Sequence, residues 1–162
     1  MVGFEIYDLE VAGGTLALSP LPGRDGQLSR DLAILARWNP TLVVSMTPEA
    51  ELASLGLEDL GQRLRQLGIA RACLPLADFA APAKAEWPIW QKVSQDVRAN
   101  LTKGGRVLFH CIHNFAYHLS SLIITDEIHR PTLQYRTSHP QALVYMVFQS
   151  MRFTNLQCYH CK

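Results

Sequence analysis

The sequence predicts an α/β domain, with a mostly parallel central sheet and helices on both faces, on three observations. Short β-branched runs alternate with amphipathic stretches from Leu28 to Phe109, the pattern of strands joined by crossover helices. Glycine and proline punctuate the boundaries, as at Asn39-Pro40, Gly68 and Gly104-Gly105. The last strand, Arg106 to Phe109, delivers His110 and Cys111. That puts a nucleophilic side chain where α/β sheets bind ligands, beyond the carboxyl ends of their strands.

The chain has 162 residues, enough for one domain that buries roughly two thirds of its unfolded surface. Fifteen basic and fourteen acidic side chains leave a formal charge of +1. No broad field favours nucleic acid or an anionic membrane, so any anion site is local. The first residues, Met1 to Asp8, lack a basic start and a long apolar run, and nothing later spans the roughly 18 apolar residues of a membrane helix. These features predict a soluble, cytoplasmic protein. Its four cysteines then read one by one as thiols, metal ligands or a nucleophile rather than as a disulfide framework.

Taken in order, Phe4 to Leu9 alternates like a strand, and Thr15 to Leu18 follows Gly13-Gly14, predicting a hairpin-like pair. The stretch Ser19 to Gly26 is loop by its proline and glycine content. Leu28, Leu32, Leu35 and Trp38 fall at helical spacing, and Asn39-Pro40 ends that helix because the residue before proline avoids the α region. Leu42 to Met46 is a strand of the doubly covered kind. Thr47-Pro48-Glu49 opens the next helix, with Thr47 as cap and Pro48 at the first helical position. After Gly56, the stripe Leu57, Leu60, Leu64, Leu67 predicts a further helix stopped by Gly68. Ile69 to Leu76 reads as a strand with Cys73 in the core, and Ala77 to Ala83 as an exposed loop carrying Asp78. Trp90, Val93, Val97 and Leu101 define a long amphipathic helix, with Trp87 on the same buried side.

The composition changes after this point. All ten glycines lie at or before Gly105, and alanine falls to Ala116 and Ala142 beyond Cys111. Five of the six histidines, His113, His118, His129, His139 and His160, lie in the same tail. Its apolar runs, Leu119 to Ile124 and Ala142 to Phe148, are too short for periodicity to assign to helix or strand. The shift predicts one domain over residues 1–162 in which 112–162 is a divergent segment with a history of its own. Cys158 and Cys161 have zinc-ligand spacing, but no second pair follows, so they read as tail thiols.

The chemistry centres on Cys111. A thiolate is favoured where backbone amides, a helix start or cations surround the sulfur, and the same ring of amides holds a phosphate oxygen. Phosphoryl transfer further needs a planar cation and an acid to protonate the leaving oxygen. Asp78, on a loop after another strand, suits the acid.

These residues resemble a known family, the cysteine-dependent protein-tyrosine and dual-specificity phosphatases, and within it the group of the kinase-associated phosphatases. The resemblance covers about two thirds of the chain and rests on order and spacing. It is carried by Gly14 to Gly23, Leu42 to Met46, Leu74 to Pro82 and Val107 to Cys111. It implies a protein-tyrosine phosphatase-like fold, phosphomonoester hydrolysis through a phosphocysteine, a phosphoprotein as substrate or binding partner, and no metal or organic cofactor. By position, Cys111 matches the nucleophile, His110 the support of the loop and thiolate, and Asp78 the general acid. Ile112, His113, Asn114, Phe115, Ala116 and Tyr117 match the phosphate-binding loop.

The match to the family pattern ends at Cys111. Asn114 and Ala116 occupy the places of glycines, Tyr117 that of the arginine, and His118 that of the hydroxyl residue. A guanidinium engages two phosphate oxygens at once and stays charged, which tyrosine cannot imitate. Its loss costs on the order of 3 kcal/mol, about a hundredfold in rate. The expectation is a weak or inactive phosphatase domain. Two alternatives are a non-catalytic relic that binds a phosphoprotein or another partner, and a rhodanese-type sulfurtransferase, which needs no Asp78-type acid. Nothing in the spacing of Arg130, Arg136 or Arg152 aims them at the loop as substitutes.

Overall fold

A two-residue turn, Ala12-Gly13, starts the sheet. Both residues take positive φ, as a tight hairpin with right-handed strand twist requires. In the computed structural model, which describes residues 3–75 and 84–112, this turn joins β1 (Tyr7–Val11) to β2 (Gly14–Pro20) as an antiparallel pair. The first strand thus begins three residues later than the alternation from Phe4 predicts.

Helix α1 (Leu28–Trp38) follows, and ends at Asn39, which takes the left-handed conformation at φ 56°. β3 (Leu42–Ser45) is wholly buried, as its apolar run requires. α2 (Glu49–Ser54) starts after Pro48, which is extended and serves as the N-cap itself. Thr47 therefore does not cap this helix. Its hydroxyl is buried and has no partner among the described residues. α3 (Leu60–Gln66) buries Leu60 and Leu64, whereas Leu67, the last of the predicted stripe, is 46% exposed because it lies past the helix end.

β4 (Ala70–Cys73) is the shortened form of the predicted strand from Ile69 to Leu76. A 3₁₀ turn (Lys84–Glu86) leads into α4 (Trp87–Thr102), which buries Trp90, Val93, Val97 and Leu101 while Trp87 is half-buried. β5 (Arg106–Cys111) closes the described fold.

The sheet order is β1-β2-β5-β3-β4, parallel except for β1. The last strand is therefore inserted between the second and third, at the centre. Alternate residues of β5 feed two cores. Val107 and Phe109 pack with Trp90, Val93, Val97 and Leu101 of α4. Leu108 packs on the other face with Leu32, Leu35, Leu52, Leu60 and Leu64. Each such buried leucine or phenylalanine contributes about 1.5–3 kcal/mol from burial.

Gly14 has a steric role. A Cβ there would lie 2.5 Å from the Gly105 carbonyl oxygen, so only glycine lets β2 start beside the turn that feeds β5. No helix among the described residues is long and apolar enough to cross a membrane.

Candidate active site

Cys111 is the last residue of β5, and parallel neighbours flank that strand on both sides. Its carbonyl accepts the Leu21 amide at 3.0 Å, and the His110 carbonyl accepts the Met46 amide at 3.0 Å. The loops after β2 and β3 are thereby bonded to the end of β5. The residue is 3% exposed and belongs to the apolar cluster of Val107, Phe109, Met46, Leu74 and Trp90. The sequence correctly placed this thiol at a strand end, yet the sulfur-bearing residue is covered.

His110 points to the opposite face, since side chains alternate along a strand. It sits in a polar row that crosses four strands: Ser19 on β2, His110 on β5, Ser45 on β3 and Cys73 on β4. Ser19, His110 and Ser45 are almost completely buried. Neither ring nitrogen of His110 has a hydrogen-bond partner among the described residues. Burial, and secondarily the Arg71 guanidinium, push its pKa down to about 3. The imidazole is therefore neutral at physiological pH.

Arg71 anchors the outer end of this row. It donates to Ser45 Oγ at 2.9 Å and to Glu49 Oε1 at 2.9 Å. Cys73 lies beside the same carboxylate, 3.6 Å from it. It is exposed, contrary to the core position expected from the sequence, because it is the last residue of β4, an edge strand. Partial desolvation raises the thiol's pKa; Arg71 opposes that rise and Glu49 adds to it. A thiol so placed is a poor nucleophile.

Sequence reasoning passed over Arg24, Ser45, Arg71 and Glu49. Arg24 Nη1 donates to the carbonyl of Ile112 at 3.4 Å, beside the residue that follows the thiol. The available signal was the recurrence of polar residues, Ser19, Ser45 and His110, near the carboxyl ends of three apolar strands. Asp78 and the loop residues His113, Asn114, Phe115, Ala116 and Tyr117 lie outside the described residues. So do His118 and the tail residues Cys158 and Cys161. Among the described residues no group of three or more His, Cys, Asp or Glu side chains is placed to hold a metal ion.

No protein-family model matches this sequence, and no curated protein matches it either. Solved structures do. Kinase-associated phosphatase, crystallised with its catalytic-site cysteine replaced by serine, superposes with a TM-score of 0.67 at 16% identity, over 99% of each chain. The active form of Tk-PTP gives a TM-score of 0.51 at 17% identity, over 90% of this chain and 92% of its own. A glycine-to-alanine mutant of Tk-PTP gives 0.54 at 17%, over 95% and 97%. The fold is that of the protein-tyrosine phosphatases. Within this phosphatase fold the central strand is β5, and Cys111 stands at its carboxyl end.

Proposed function

We propose that this chain is a protein-tyrosine or dual-specificity phosphatase domain working at a severely reduced rate. Cys111 is the nucleophile, Asp78 the general acid and His110 the support of the loop that follows the thiol. The position of Cys111 carries the reading, as the final residue of the central strand with parallel strands on both sides. The likeness to solved phosphatases supports it. One of those proteins is named a kinase-associated phosphatase, which supports a phosphoprotein as substrate or binding partner here.

In the reaction the sulfur attacks phosphorus, and the bond from phosphorus to the substrate oxygen breaks as Asp78 gives that oxygen a proton. Water then attacks the phosphocysteine and releases phosphate and the thiolate. Two features support a low rate. Tyr117 replaces the arginine, worth at least about a hundredfold. Cys111 is also covered by apolar neighbours, and buried thiols in such settings are unreactive. The domain takes in residues 1–162, with 112–162 its divergent part.

Hydrolysis of an aryl phosphate by the wild-type chain and by Cys111→Ser tests the reading. The expected result is slow turnover in the wild type and none in the variant. Equal rates in the two proteins retire catalysis and leave the second reading, a phosphoprotein-binding domain. The absence of the arginine at Tyr117 favours that reading, and titration with a phosphotyrosine peptide checks it.

A further inference from the structure

The phosphatase reading leaves the site without a cation in its loop, and the structure brings another cation to Ile112, the residue after the thiol. The segment Pro20 to Gly26 joins β2 to α1 and is held against the end of β5. Pro20 pairs with Cys111 in the sheet register, and the Leu21 amide donates to the Cys111 carbonyl at 3.0 Å. Within the segment, the Arg24 amide donates to the Leu21 carbonyl at 3.2 Å and the Gly26 amide to the Gly23 carbonyl at 2.9 Å. The Gly23 amide donates to the buried Asp31 carboxylate at 2.8 Å. Gly23 has φ +83°, and a Cβ there would lie 2.8 Å from Leu57 Cδ2, so glycine lets the loop close this tightly. The backbone of Arg24 is consequently fixed relative to the thiol-bearing strand.

Among the described residues its side chain is not fully engaged. Nη1 reaches the Ile112 carbonyl at 3.4 Å, and Nε reaches Asp25 Oδ1 at 3.4 Å. Both contacts are long. A guanidinium carries five N–H donors, and the side chain is 33% exposed, so donors are left for a ligand.

We infer that Arg24 is the anion-binding residue of this site. It offers a phosphomonoester dianion at the Cys111–Ile112 segment the guanidinium that Tyr117 does not provide. This assignment rests on the phosphatase reading and adds a residue to it. Asp25, which shares the guanidinium and is itself negative, weakens the same binding.

Calorimetric titration of the full chain with phenylphosphonate, a non-hydrolysable aryl dianion, tests the assignment. The wild type and Cys111→Ser bind. Arg24→Gln binds at least about tenfold more weakly, as expected for loss of a charge-assisted contact. Arg24→Lys recovers part of the loss, because charge returns without the fork. Asp25→Asn, at an exposed position, binds severalfold more tightly, a gain that impaired folding cannot produce. Wild-type affinity in Arg24→Gln, or no tightening in Asp25→Asn, overturns the role of Arg24 while the phosphatase reading stands. Failure of the wild type to bind the phosphonate overturns both.

Discussion

The Arg71 guanidinium donates to the Ser45 hydroxyl at 2.9 Å, and Ser45 is the cross-strand neighbour of His110. A buried imidazole without a hydrogen-bond partner among the described residues thus shares a sheet face with a fixed cation. Both effects disfavour the imidazolium, burial more than charge.

Stability accordingly falls in acid. The pKa of His110 is lowered from 6.5 to about 3, so between those values the unfolded chain takes up a proton that the native state refuses. This contribution is complete above the unfolded value and is lost as pH falls towards the folded one. The loss is at most about 1.4 kcal/mol per pH unit. Urea unfolding between about pH 7 and pH 5 measures the slope. His110→Leu, with no titrating ring, shows a shallower one, and an unchanged slope refutes the account.

The Arg71 contacts are unequal in value. The Arg71 side chain is 11% exposed and that of Glu49 is 62% exposed. Arg71→Met leaves the buried Ser45 hydroxyl without its donor and costs about 1–3 kcal/mol. Glu49→Gln removes only an exposed ion-pair partner and costs less than about 1 kcal/mol. Thermal unfolding of the two variants gives the order, and a larger loss for Glu49→Gln contradicts it.

Packing sets a second contrast. Phe109 is 1% exposed at the centre of the sheet, whereas Leu67 is 46% exposed past a helix end. Phe109→Ala is expected to cost about 3–5 kcal/mol through lost burial and a cavity. Leu67→Ala stays within about 0.5 kcal/mol. Denaturant midpoints at equal slope report both.

Under the proposed mechanism the reaction depends on Asp78 as its acid. Asp78→Asn lowers the Cys111-dependent hydrolysis rate by about a hundredfold or more, because the leaving oxygen departs without a proton. An unchanged rate is the outcome a rhodanese-type sulfurtransferase gives, since it needs no such acid. Tyr117→Arg raises the rate without restoring it, because Asn114 and Ala116 still replace the glycines that let a loop close around phosphate. Steady-state assays of the two variants against the wild type measure both effects.

Where local pattern and tertiary setting agree, the elements were legible beforehand. The apolar spacing of α1 and α4 and the buried run of β3 appear as read. Asn39 ends its helix in the left-handed form. Cys73, Leu67 and Thr47 were misjudged for a shared reason: each has the residue type of a core or cap position, while its burial or bonding depends on where an edge strand or helix end falls. Of the candidate site, Cys111 and His110 were visible as the polar end of an apolar strand. Arg24 was not, because proline and glycine content marks a loop without saying what it touches.

By itself the sequence determined the alternation of strands and helices, the glycine-bearing turn before β2, and the change of composition after Cys111. Local periodicity and steric limits on single residues suffice for these. Only the tertiary structure decided that β5 enters between β2 and β3, that His110 and Cys111 face opposite cores, and that Arg24 meets Ile112 across 88 positions of chain. Such contacts come from pairing and packing between segments far apart in sequence, where no repeat of residue types records which strand will lie beside which.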